Sequence, residues 1–161
     1  MKIVIVVRHA KTAWSESEIK DHERVLEPQG VLDAEKLGQL LLQEAIIPDV
    51  VLSSSAVRAS KTAAIIVANL GLSNAIIHRD DILYNATAET ILSVIQSVDP
   101  LKNKVMVIAH NPGISNFVSL VTDGSSISMG TCDVAVVGFE VDSWRSCLPG
   151  TGFLSRYIEN Y

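Results

Sequence analysis

The chain has 161 residues, 48% of them hydrophobic, and a formal net charge of -5. That length and composition predict one domain over residues 1–161 with a sizeable core, and the acidic balance excludes a nucleic-acid binder acting through a broad basic surface. No apolar run approaches the roughly 20 residues of a transmembrane helix, and the first strand begins after a single Lys, so the expectation is a cytoplasmic protein with no membrane partner.

In chain order, Ile3 to Val7 is an unbroken apolar, β-branched run, as expected of a strand buried on both faces in the middle of a largely parallel sheet. It stops abruptly at Arg8 and His9. Ser15 to Glu27 carries charges of both signs with no apolar period and reads as a long loop leaving from that strand end. Pro28, Gln29 and Gly30 introduce a helix whose Val31, Ala34, Leu37, Leu41 and Ala45 share one face. Val50, Val51 and Leu52 form a second short strand ending in Ser53, Ser54 and Ser55. Ala59, Ala63, Ile66, Val67 and Leu70 mark a helix closed by Gly71 in a left-handed cap.

Ala75 to Ile77 make a weaker third strand, and Thr87 or Asn85 caps a helix through Ile91, Leu92 and Ile95. Val105 to Ala109 is a strand of the first kind that also ends at a histidine, His110. Pro112 suits the first turn of a helix through Ile114, Phe117, Val118 and Val121. Gly124 to Gly130 reads as a loop, and Val134 to Val141 with Phe153 to Tyr157 as a final antiparallel pair at a sheet edge. This alternation predicts an α/β three-layer sandwich around a mostly parallel sheet.

Such sheets bind ligands outside the carboxyl ends of their strands. Three strand ends carry related cargo: Arg8 with His9, Arg58 just after the second strand, and His110 after the fourth. Their convergence would place two histidines and two arginines in one pocket. Arginine presents a planar fork of donors matched to phosphate oxygens, and the helix start after Ser53 to Ser55 adds backbone N–H groups. In that setting His9, kept neutral by neighbouring positive charge, is a candidate nucleophile toward phosphorus. Arg8, Arg58 and His110 would neutralise the equatorial oxygens, work that needs neither metal nor cofactor. His22 reads as a rim residue and His78 as structural, while Cys132 and Cys147 form no metal-spacing motif and read as reduced packing residues.

Arg8-His9-Ala10 after a first strand, Ser53-Ser54 with Arg58-Ala59 and Thr62, and His110-Asn111-Pro112-Gly113 after a later strand together resemble the histidine phosphatase superfamily, with its phosphoglycerate mutase-like fold. The short length, Lys11 with Trp14, and Asp21 with Arg24, Leu26 and Gly30 resemble its phosphohistidine phosphatase (SixA-type) group. The resemblance implies a covalent phosphohistidine on His9, phosphate contacts from Arg8, Arg58 and His110, and further substrate contacts from Arg24 and Asn111. It departs at the proton donor that many members carry. Asn111 follows His110, and the segment Asp80 to Asn85 places no carboxylate clearly in the donor position, though Asp21, Glu23 or Glu89 could reach in from a loop.

A phosphoramidate depends less on an acid than an alkyl phosphate does, so the missing donor favours a phosphohistidine-bearing phosphorelay or phosphocarrier protein as partner. The alternatives are a small phosphorylated metabolite as substrate, or a pocket that binds phosphate without turnover.

Overall fold

The computed structural model describes residues 1–13 and 19–160; Trp14 and the first part of the expected Ser15 to Glu27 loop lie outside them. Six strands form one sheet: β1 Lys2–Arg8, β2 Val50–Ser54, β3 Ile77–Asp80, β4 Lys104–Ala109, β5 Val134–Phe139 and β6 Gly152–Ile158. Their spatial order is β3-β2-β4-β1-β5-β6. The first four are mutually parallel, and β5 and β6 run antiparallel at the other side. Helices α1 Pro28–Gln43 and α2 Val57–Asn69 cover one face, and α3 Ala88–Gln96 and α4 Gly113–Val121 the other. The expected three-layer α/β sandwich is the observed architecture.

The apolar run in β1 is unbroken because both its faces are covered. Val4 and Val6 enter the core layer with Phe117 and Ile91, while Ile5 and Val7 enter the layer with Leu37 and Ile66. All four are fully buried, each contributing roughly 1.5–3 kcal/mol of transfer free energy. β4 repeats the pattern beside it, with Val105 and Val107 facing one layer and Met106 and Ile108 the other.

Several boundaries differ from expectation: β5 stops at Phe139, short of Val141, Pro112 caps α4 from just outside its first turn, and two further cases have a clear cause. The third strand is Ile77–Asp80, and Asn74–Ile76 form a 3-10 turn capped by the Ser73 hydroxyl, which accepts from the Ala75 N–H. β3 is an edge strand whose His78, Arg79 and Asp80 are exposed, so it needs no apolar alternation, and pairing with Val51 to Ser54 decides its position. The first helix ends at Gln43, and Ala45, expected on its apolar face, adopts a left-handed backbone (φ 56°) that turns the chain toward β2. The caps at Thr87 and Gly71 fall where expected, with Thr87 Oγ1 accepting from the Thr90 N–H and Gly71 at φ 71°.

Candidate active site

β1 and β4 are parallel neighbours in register, with Arg8 opposite Ala109. His9 and His110, each one residue further on, therefore emerge side by side, their ring centroids 5.1 Å apart. Both are buried, His9 at 7% and His110 at 6% exposure. β2 ends beside β4, so the first turn of α2 delivers Arg58 to the same rim, where it too is buried.

The His9 ring is held by its own strand exit. Nδ1 lies 2.7 Å from the Ala10 carbonyl oxygen, which only accepts, so Nδ1 carries the proton and Nε2 keeps its lone pair. The Ala10 N–H donates to Thr62 Oγ1, whose hydroxyl donates to the Arg58 carbonyl, tying the turn after β1 to the start of α2. Gly30 completes this support, because a Cβ there would meet the Lys11 carbonyl oxygen at 2.2 Å. Only glycine lets α1 begin against that turn.

His110 Nε2 lies 2.7 Å from Ser54 Oγ, which also accepts from the Ala56 N–H. Burial first, then the positive charge of Arg58, Arg8 and Arg24, lowers the His9 pKa to about 4 against the pull of the Ala10 carbonyl. Burial also dominates at His110, lowered to about 3, followed by repulsion from His9 and Arg58. The arginines thus act in the expected direction, with desolvation the larger cause.

These shifts have a consequence for stability. The folded pKa of each imidazole lies below the ordinary 6.5 of the unfolded chain, so the unfolded state binds more protons between the two values. Stability should be full above pH 6.5 and decline as the pH falls toward 4. Urea midpoints at pH 7 and pH 5 test this, and the difference should shrink in His9→Gln.

Asp21 to Glu23 form a 3-10 turn over the pocket mouth. Arg58 grips it twice, Nη1 donating to the Asp21 carbonyl oxygen at 2.7 Å and Nη2 to Oδ2 at 3.0 Å. The Tyr84 hydroxyl donates to the same Oδ2 at 2.5 Å, and the Tyr84 ring stands edge-on to both His110 and His22. His22 Nε2 is 2.8 Å from Ser55 Oγ, so His22 does sit at the rim, whereas His78 is exposed on the edge strand. The Tyr84 hydrogen bond, followed by those from Arg58 and Arg24, lowers the Asp21 pKa to about 2. Asp21 reaches the site, as one of the three loop carboxylates could, and its partners there favour the ionised carboxylate. Glu89 lines a cavity of about 600 Å³ that runs from His110 between the starts of α3 and α4.

Arg8 Nη1 donates to the Met129 carbonyl, as does Asn111 Nδ2, while Ser115 Oγ donates to Asn111 Oδ1 and accepts from the Met129 N–H. Asn111, expected to touch substrate, lines the cavity beside His110 and also ties its amide to the loop before β5. Arg24 Nη2 donates to Thr12 Oγ1 and the Ala13 carbonyl, bracing the loop against the turn after His9. Arg8 Nε and His110 Nδ1 are buried with no hydrogen-bond partner among the described residues, the kind of unsatisfied polar group that functional sites retain. Sequence reasoning missed Tyr84 and the pairing of Ser54 with His110. Tyr84 lay in the segment inspected for a carboxylate, and its phenol carries no spacing signal of its own.

The model of the histidine phosphatase superfamily, branch 1, matches residues 4–83. A protein of Mycobacterium leprae is 30% identical over 122 residues, covering 74% of this chain and 72% of that protein. The solved structure of SixA from Agrobacterium tumefaciens is 26% identical, covers 98% of this chain and 97% of its own, and superposes with a TM-score of 0.80. The protein histidine phosphatase SixA complexed with tungstate shares the fold at a TM-score of 0.83 and 20% identity, over 98% of this chain and 96% of that one. With the two buried histidines, their arginines and these likenesses together, the chain belongs to the histidine phosphatase superfamily, a family of phosphatases, and within it resembles the SixA-type group.

Proposed function

We propose that this phosphatase hydrolyses phosphohistidine on a phosphorelay or phosphocarrier protein in the cytoplasm, through a covalent phosphohistidine on His9. The observation that carries the reading is the pair of buried, neutral histidines beside Arg58 and Arg8, with a tautomer that leaves His9 Nε2 free. Nε2 attacks phosphorus as the bond to the substrate imidazole breaks, and water then hydrolyses the enzyme phosphohistidine. Arg8, Arg58, Arg24 and His110 hold the phosphoryl oxygens, supplying enough positive charge that the chemistry calls for no metal. Asn111 acts as a positioning residue, holding the Met129 loop on which Arg8 also rests.

Two further observations support this substrate class. Among the described residues Asp21 is fixed at the pocket mouth with its carboxyl held well below the usual carboxylate range, which suits a labile phosphoramidate better than an alkyl phosphate. The likeness to a SixA that takes tungstate, an oxyanion, agrees with an anion pocket here. Cys132 and Cys147 are both buried and unpaired, as in a reducing compartment.

Phosphate release should be measured, without added metal, from a phosphohistidine-bearing protein and from a panel of sugar phosphates. The expected result is release from the protein with kcat/KM at least about tenfold above any small ester. Strong activity on a sugar phosphate with none on phosphohistidine would make the protein a metabolite phosphatase. Binding of phosphate without turnover of either would make it a binding module.

A further inference from the structure

We infer that Asp21 determines the substrate preference of the site: its carboxylate faces the leaving group, accepts the N–H of a protonated imidazole, and disfavours leaving groups that carry negative charge. The inference rests on the phosphohistidine reading above.

The geometry places Asp21 on the leaving-group side. His9 is buried at 7% exposure, whereas the Asp21 side chain is 51% exposed at the mouth. In-line transfer puts the leaving group opposite the attacking nitrogen, hence on the solvent side of the phosphoryl group. There Asp21 is held rigidly by Arg58 from one direction and Tyr84 from another, both on Oδ2. Among the described residues Oδ1 has only Arg24 Nη1 at 3.5 Å and is the oxygen open to an incoming donor. His22, next along the turn, is pinned to Ser55, so the turn is anchored on both sides of the pocket.

A carboxylate in this position is costly for a site that takes phosphate dianions, because it competes with the phosphoryl group for Arg58 and repels it. The cost has a return only when the rest of the substrate is cationic. Phosphohistidine meets that condition: with phosphorus on one ring nitrogen and a proton on the other, its ring is an imidazolium. The bond from His9 Nε2 to phosphorus forms as the bond from phosphorus to the substrate nitrogen breaks. That nitrogen keeps the electron pair, and the ring leaves as neutral imidazole, still carrying the N–H that faces Asp21. No proton has to be delivered to this leaving group, so an ionised carboxylate at the mouth does not hinder its departure. Leaving groups bearing a carboxylate or a second phosphate would face Asp21 and the neighbouring Glu23 with like charge.

The test compares kcat/KM on a phosphohistidine peptide and on p-nitrophenyl phosphate in the wild type, Asp21→Asn and Asp21→Ala. In both variants the phosphohistidine value should fall about tenfold while the aryl ester value rises severalfold, reversing much of the preference. A parallel fall on both substrates would mean that Asp21 only holds Arg58 in place, and would overturn the inference. Failure of the underlying reading looks different: the wild type itself would turn over the aryl ester and leave the phosphohistidine peptide untouched.

Discussion

His9→Ala is expected to abolish phosphate release from a phosphohistidine protein, by at least about a thousandfold in kcat, because it removes the atom that receives the phosphoryl group. The buried neighbours cannot substitute. His110 Nε2 is engaged with Ser54, its ring stands 5.1 Å away, and Arg8 and Arg58 have no lone pair to offer. The wild type, quenched in alkali during turnover of a phosphorylated substrate, should carry a phosphate label that survives base and is lost in acid, as a phosphoramidate does. The same label should be missing from the variant. Retention of a tenth or more of wild-type turnover by a folded His9→Ala protein would exclude the covalent route and leave His9 a binding group.

Gly113→Ala should be the most damaging of the conservative changes near the pocket. A Cβ at this position would lie 2.0 Å from the Ala86 carbonyl oxygen and 3.6 Å from Ile91 Cδ1. The contact is with backbone just before α3, which is itself fixed by the Thr87 cap and by Ile91 and Ile95 in the core. Neither element can yield alone, so α4 must shift, at a cost of about 3 kcal/mol or more. His110 lies three residues upstream, and the Ile114 N–H donates to its carbonyl, so the shift reaches the pocket directly. A urea midpoint lowered by the corresponding amount, together with at least about a tenfold loss of turnover, is the expected pair of results. A variant with wild-type stability would show that the α3–α4 contact yields more readily than its geometry implies.

Glycine at 113 also shows what kind of information each level holds. In the sequence it is the last residue of His110-Asn111-Pro112-Gly113, legible as part of a resemblance but not as a necessity. Its necessity comes from Ala86, a residue distant in the chain whose approach no local pattern announces. Asn111 is a similar case: the resemblance offers it as a substrate contact, and only the fold shows that its amide also ties Met129 and Ser115 together beside the cavity. The edge strand β3 went the same way, because exposed strands carry no periodic signal and are positioned by their partner.

Asp21 is the sharpest example. In the sequence it stands in a resemblance with Arg24, Leu26 and Gly30 and as one of three carboxylates able to reach in from a loop, with no sign of what it would pair with. Its pairing with Arg58 and Tyr84 spans 37 and 63 positions of sequence. No spacing rule reaches that far.

The sequence by itself determined the layers, the central strands, and the rim at which Arg8, His9, Arg58 and His110 gather. It could do so because a strand covered on both faces must be apolar throughout, and a parallel sheet must end its strands on one side. Only the tertiary structure decided which nitrogen of His9 is free, that burial more than arginine keeps the two imidazoles neutral, and that a carboxylate closes the mouth. Those properties depend on distances of a few ångströms between segments far apart in the chain, where charge, desolvation and hydrogen bonding take their values from packing and not from residue order.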